Sequence, residues 1–252
     1  EAFNTWKDVS PLERIRYMLK YQALLRENID ELAKLITEEE GKTLLDAKGD
    51  VIRGLEIVEQ CASYGALLQG NSLPNISNGM DIVSYKYPLG ICAGITPFNF
   101  PAMIPLWMFT TAITCGNTYI LKPSERVTGT SLYLIDLLEK TGLPKGVVNV
   151  VNGDKDVVNY ILEDKNIQAI SFVGSSSVGE YIYKKGTTNG KRVQSNLGAK
   201  NHALIMPDAK IEDVVNSLTS SAFGATGQRC MALSVAIFVG KSNLFIEKVI
   251  EK

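Results

Sequence analysis

Cys230 stands in SAFGATGQRCMA (221–232), a polar, glycine-interrupted stretch between a helical pattern and a β-branched run. A free thiol titrates near pH ~8.5, so cysteine becomes a nucleophile at neutral pH only where it is accessible and close to a cation. Arg229 supplies the cation in sequence, and Gly224, Gly227, Gln228 and Arg229 argue against a small buried core cysteine. Asn99, between Pro97 and Pro101, carries an amide that can donate to a developing oxyanion, an interaction of about 3 to 4 kcal/mol when well placed; the same residue suits an Asx turn. Lys122 and Glu125 in KPSE can hold ribose hydroxyls, with the carboxylate repelling the extra phosphate of NADP; both also suit a solvated surface. Gly174 to Gly179, GSSSVG, opens a helical pattern and offers free N–H groups and the positive end of a helix dipole to a pyrophosphate, with Gly174 and Ser175 as contacts. This spacing lacks the Lys-Ser/Thr of a P-loop and is not GxGxxG, so a plain turn fits it nearly as well.

The elements that must position these groups follow from periodicity. From Gly90 onward, short β runs at 91–95, 118–121, 147–151 and 169–173 alternate with helical segments after Pro101, Thr128, Asp154 and Ser176. Such alternation predicts an α/β fold with a doubly wound parallel sheet, whose ligands bind beyond the carboxyl ends of the strands. The candidate motifs follow the first, second and fourth of those strands. Upstream, Ser10-Pro11-Leu12-Glu13 is a capping box with proline at the first helical position. Ile29, Leu32, Leu35 and Ile36 mark a second helix, whose Glu38-Glu39-Glu40 run reads as a solvated face. A third helix is expected over 46–69, and 81–87 alternates like an exposed strand that pairs at an edge or between subunits.

Composition excludes several classes. A net charge of −1 leaves no basic excess for nucleic acid or an anionic membrane, so small-molecule chemistry is favoured. Cys61, Cys92, Cys115 and Cys230 have no paired spacing, and there is a single histidine, which fits neither a disulfide scaffold nor a zinc site but does fit a reducing compartment. The uncharged run 87–121 is long enough for a membrane span, yet Pro97, Pro101 and Pro105 would strand backbone polar groups in lipid. No signal peptide is visible from Glu1 onward.

In order and separation, PFNFP (97–101), KPSE (122–125), FVGSSSVG (172–179) and GQRC (227–230) resemble the aldehyde dehydrogenase superfamily. The finer wording, LGICAGITPFNFPAMIPLWMF, SNLGAKNH and GQRCMA, is similar to its CoA-acylating, methylmalonate-semialdehyde branch. The resemblance implies an NAD-binding domain over 1–200, with an edge or oligomerisation segment at about 70–88, and the start of a catalytic α/β domain over 201–252. It implies that Cys230 adds to an aldehyde, that Asn99 and the Cys230 N–H hold the oxyanion, and that NAD takes hydride. Ser175 would contact the pyrophosphate, Lys122 and Glu125 the adenine ribose, and Val178 the adenine, with Phe98 beside the cofactor and Gly174 and Gly179 framing the turn.

One departure is informative. Hydrolytic members read Glu-Leu-Gly-Gly-Lys where this chain reads Asn196-Leu-Gly-Ala-Lys200, and asparagine cannot accept a proton. Water attack on a Cys230 thioester should therefore be slow, whereas a thiol such as CoA needs less help. A malonate-type semialdehyde carries a carboxylate, and the resemblance points to Arg53 and Arg229 as its guanidinium partners, yielding propionyl-CoA or acetyl-CoA after loss of CO2. As an isolated residue Arg53 also reads as an exposed helix charge. The likeness further implies a homo-oligomer, a mitochondrial matrix location in eukaryotes or a cytoplasmic one in bacteria, and a chain covering about half of the family's length. It leaves the strand at 234–239 short of partners. Two other readings stay open: a hydrolytic semialdehyde dehydrogenase, and a catalytically incomplete NAD-binding or assembly module.

Overall fold

Ser10 starts the first long helix as its capping box predicts, its hydroxyl accepting from the Glu13 N–H. In the computed structural model, which describes residues 1–240 and 243–252, the N-terminal helices are α1 (Ala2–Trp6), α2 (Pro11–Glu27), α3 (Ile29–Glu40), α4 (Leu44–Gln60) and the short α5 (Tyr64–Leu67). The single helix expected over 46–69 is thus broken. Ser63 donates to the Gln60 carbonyl, and a 3₁₀ turn at Cys61–Ser63 separates α4 from α5. Strands β1 (Ser72–Ser77) and β2 (Met80–Val83) form an exposed antiparallel hairpin. The strand expected to reach Tyr87 ends at Val83, where the Ser84 side chain and backbone close the hairpin against Asn71.

The alternating region then gives β3 (Ile91–Ile95), α6 (Met103–Thr114), β4 (Thr118–Lys122), α7 (Thr128–Glu139), β5 (Val148–Val150), α8 (Lys155–Glu163), β6 (Ile167–Val173), α9 (Ser176–Thr188) and β7 (Arg192–Asn196). These five strands form one parallel sheet in the order β5-β4-β3-β6-β7. The strand order reverses at β3, so β4 and β6 flank it and their carboxyl ends open a crevice. Leu106, Phe109 and Ile113 of α6 pack with Tyr21, Leu25, Leu32, Ile36 and Val51 of the N-terminal helices and with Tyr119 and Leu121 of β4. The uncharged run at 87–121 is this buried strand, loop and helix, and among the described residues no helix is long and apolar enough to cross a membrane.

Helices α6 and α7 receive their caps from elsewhere in the fold. Ala102 and Val127 provide no capping side chain for α6 and α7. Each receives a carboxylate from another helix: Asp50 of α4 accepts from the Met103 N–H at 2.7 Å, and Glu39 of α3 accepts from the N–H groups of Gly129 and Thr130 at 2.7 and 2.8 Å. Negative charge at a helix start is favourable, and these contacts lock the layers together. The glutamate run read as a solvated face is therefore corrected: Glu39 is a cap, and the Glu40 side chain is only 7% exposed beside Lys42.

The chain divides into two compact units, Glu1–Asn196 and Leu197–Lys252. The second contains β8 (Asn201–Ile205), α10 (Ile211–Phe223), β9 (Leu233–Phe238) and α11 (Asn243–Glu251). Here β9 does have a partner, pairing in parallel with β8, while Leu204, Val235 and Ile237 stay exposed.

Candidate functional site

Beyond β3, β4 and β6 lies a cavity of about 770 Å³, within the usual size range for small-molecule sites. Three of the motifs meet in its wall: Pro97 and Phe98 after β3, Lys122 and Glu125 after β4, and Gly174, Ser175 and Val178 after β6. Parallel register places them together, since Ile95 pairs with Lys122 on one side and with Phe172 on the other. Gly174 has a packing reason to be glycine. A Cβ there would fall 2.4 Å from the Phe172 ring.

Several features of this cavity suit a dinucleotide. Ser175 is the N-cap of α9 and makes no side-chain capping bond, so the first-turn N–H groups remain available to an anion. The Lys122 side chain is 5% exposed and its ammonium lies 3.0 Å from the Glu125 carboxylate. Glu125's own N–H and then Lys122 hold that carboxyl below the usual carboxylate range, keeping a negative charge at the cavity wall. The Thr96 hydroxyl is buried with no hydrogen-bond partner among the described residues and belongs to the same wall. Val178, Ile95 and Val158 add apolar surface. Gly179 is not in the wall; it is buried within α9, its carbonyl accepting from Ser195 Oγ.

Asn99 sits on the loop between β3 and α6, adjacent to that wall, and its backbone carbonyl accepts from Lys42 Nζ at 2.6 Å. At the end of β7, Asn196 pairs with Val173 and its carbonyl accepts from the Gly174 N–H. Its position borders a second cavity of about 330 Å³, with Trp107, Tyr119, Val173, Arg192 and Gln194 among the lining residues. Arg53 lines neither of these two cavities. Its side chain is 71% exposed on α4, 3.6 Å from Glu56.

In the second unit, Cys230 follows an unusual turn. Ala225, Thr226 and Gly227 all have positive φ (49°, 54° and 71°), which L side chains seldom adopt. The polypeptide then turns again, the Ala232 N–H donating to the Arg229 carbonyl, and Cys230 lies exposed between these turns. Cys61 and Cys92 are buried and Cys115 is half-buried; burial pushes these three thiols up, Cys92 to about 11. The Arg229 guanidinium folds back over Gly224, where an added Cβ would approach it to 2.7 Å. Asn201 Nδ2 donates to the carbonyls of both Cys230 and Ala232, at 2.9 and 3.0 Å, clamping the turn from the start of β8.

The sequence profile of the aldehyde dehydrogenase family matches residues 1–252. The chain belongs to the aldehyde dehydrogenase family. A mouse relative named methylmalonate-semialdehyde/malonate-semialdehyde dehydrogenase [acylating], mitochondrial, is 53% identical over 251 residues, which cover all of this chain and 47% of the relative. A crystal structure of methylmalonate-semialdehyde dehydrogenase from Oceanimonas doudoroffii superposes with a TM-score of 0.97 at 49% identity, covering 99% of this chain and 52% of the other. A Sinorhizobium meliloti 1021 protein solved in complex with NAD gives a TM-score of 0.96 at 46% identity, covering 99% and 51%. The chain therefore spans about half the length of the relatives it matches.

Within this aldehyde dehydrogenase chain, three residues at the site escaped the sequence reading. Arg126 lines the large cavity with its guanidinium 5.4 Å from the Phe98 ring, a cation–π contact that a charge following KPSE does not announce. Asn201 lies far from Cys230 in sequence and becomes its clamp only through the β8–β9 pairing. Lys42 looks like a helix-end surface charge after Gly41, but is 6% exposed beneath Asn99.

Proposed function

We propose that the whole protein to which this chain belongs is an NAD-dependent, CoA-acylating semialdehyde dehydrogenase, acting on methylmalonate or malonate semialdehyde. The observation that carries the reading is the convergence of Phe98, Lys122, Glu125, Gly174, Ser175 and Val178 on one cavity at the switch point of the parallel sheet. On this reading Glu1–Asn196 is the NAD-binding unit, and Leu197–Lys252 opens the catalytic unit that supplies the nucleophile. Support for the substrate class comes from the names of the mouse and Oceanimonas relatives.

In the proposed reaction, the Cys230 sulfur adds to the aldehyde carbon and the Asn99 amide and Cys230 N–H donate to the developing oxyanion. The α9 amides beyond Ser175 hold the pyrophosphate, Lys122 and Glu125 the adenine ribose, and Val178 the adenine face. Bound NAD supplies the acceptor for the hydride that leaves the tetrahedral carbon. What remains is an acyl thioester on Cys230. Asn196 provides no base for water, so the thioester persists until a CoA thiol attacks it, regenerating the Cys230 thiol; the β-carboxyl group leaves as CO2 and the enolate carbon it leaves behind takes up a proton from solvent. Arg53 and Arg229 are proposed to pair with that carboxylate. The exposed hairpin β1–β2 is the proposed oligomerisation segment, its Leu73, Ile76, Met80 and Ile82 all being exposed.

The test uses the full-length protein with malonate semialdehyde, NAD and CoA, following NADH, acyl-CoA and CO2. Equal yields of the three products support the reading; NADH accompanied by free dicarboxylic acid would favour the hydrolytic alternative. Replacing Arg53 or Arg229 with Leu is expected to raise KM for malonate semialdehyde far more than for propanal. Equal effects on both aldehydes would remove the carboxylate role.

A further inference from the structure

Beneath the loop that carries Asn99 lies a group of charges that the proposed chemistry leaves unused. Lys42 Nζ lies 3.3 Å from Asp50 Oδ2 and 3.9 Å from Glu40 Oε2, with side-chain exposures of 2%, 0% and 7% for the three residues. The same ammonium donates to the Asn99 carbonyl at 2.6 Å and stands 4.5 Å from the centre of the Phe100 ring. The other oxygen of Asp50 accepts from the Met103 N–H at the start of α6. The cluster thus grips both ends of the loop leading from Asn99 into α6. Gly54, one turn beyond Asp50 on α4, tightens the arrangement, since a Cβ there would lie 2.4 Å from Leu106 and 3.2 Å from the Met103 backbone.

Taking an ammonium and carboxylates out of water is costly, and apolar residues of similar volume often stabilise a fold as well or better. Stability alone is therefore a weak reason for this cluster. Its geometry offers another. The Lys42 ammonium bonds the peptide that joins Asn99 to Phe100, and a charged donor on that carbonyl fixes the peptide plane from which the Asn99 side chain departs. Burial pushes the Asp50 carboxyl up to about 6, against the pull of Lys42 and the Met103 N–H, which leaves it ionised at neutral pH as the partner of Lys42.

We infer that Lys42 and Asp50 form a positioning pair that orients the Asn99 amide for oxyanion stabilisation, acting through the Asn99 carbonyl and the Met103 N–H rather than on the substrate. The inference rests on the proposed oxyanion role of Asn99. Lys42→Met removes the donor while keeping an unbranched apolar stem, and Asp50→Asn keeps an acceptor for Met103 while removing the countercharge.

The experiment is a double-mutant cycle in the full-length enzyme, reading the rate constant of the first-turnover NADH burst together with the NAD dissociation constant. With Asn99 present, Lys42→Met is expected to slow the burst by about ten- to a hundredfold, the scale of loss from misplacing a catalytic group. Asp50→Asn should slow it less, and NAD affinity should stay within about twofold of the parent. In an Asn99→Ala background, adding Lys42→Met should slow the burst by less than about twofold, because the group it positions is gone. Slowing by the same factor in both backgrounds would overturn the positioning role while leaving the oxyanion reading intact. An Asn99→Ala enzyme with the parent burst rate would overturn the oxyanion reading and the inference with it. Should Lys42→Met fail to fold, Asp50→Asn is carried through the same cycle against the same outcomes.

Discussion

The cavity beyond β3, β4 and β6 and the turn that presents Cys230 are held in place by opposite means. The cavity wall is fixed several times over: parallel register aligns its three loops, Lys122 is buried against Glu125, Gly174 lies tight on Phe172, and α6 is capped from α4. The Cys230 turn is exposed, runs through three consecutive positive-φ residues, and is clamped by one amide from Asn201. A binding surface gains from redundancy, because each contact is small and all must hold at once. A nucleophile needs access, and access limits how much packing can hold it.

That contrast can be broken most sharply at Cys230. In the full-length enzyme, Cys230→Ala should abolish NADH formation, a loss of about 10⁴-fold or more, and leave NAD affinity measured by fluorescence within about twofold. A parallel loss of NAD binding would show that the two regions are not independent. Next in size is cofactor discrimination. Glu125→Gln removes the charge proposed to oppose a ribose phosphate, and the ratio of NAD to NADP dissociation constants should move toward NADP by about tenfold, the effect of one unit charge in a partly screened site. No movement in that ratio would take Glu125 out of the ribose site.

A smaller effect is expected at the clamp. Asn201→Ala removes two hydrogen bonds of about 0.5 to 1.5 kcal/mol each. Burst kinetics should slow by about three- to tenfold with NAD affinity unchanged, and an unaltered burst would mean that the turn holds its shape without Asn201. Smallest is the strained turn itself. Ala225→Gly relieves a side chain held in the left-handed region at some cost in unfolded-chain entropy, for a net gain of about 0.5 kcal/mol readable in urea unfolding. Destabilisation would indicate that the positive φ is not a source of strain.

Much of the sheet was legible in sequence because its strands are short apolar runs separated by helices, and three of the four motifs, at 97–101, 122–125 and 172–179, lie where such runs end. The site was legible to the extent that those motifs are contiguous: Phe98, Lys122, Glu125, Gly174, Ser175 and Val178 line one cavity. Contacts made across distant segments were not. Glu39 and Glu40 read as part of a solvated face, and Lys42 and Asp50 drew no reading at all, because their partners, the Gly129 and Thr130 amides, the Asn99 carbonyl and the Met103 N–H, lie on distant segments. Gly179 illustrates the converse: a motif glycine buried inside α9 while Ser177, Val178 and Tyr181 line the cavity. The triple left-handed turn before Cys230 is equally hidden, since Ala225 and Thr226 are not residues from which positive φ is expected.

The central claim, that Cys230 holds its thioester until a thiol arrives because Asn196 cannot activate water, is tested most directly by the CoA dependence of turnover in the full-length enzyme. Without CoA, NADH should form in a burst of about one equivalent per site and then nearly stop; with CoA, turnover should continue and yield acyl-CoA. Sustained NADH production without CoA, at the rate seen with it, would contradict the account.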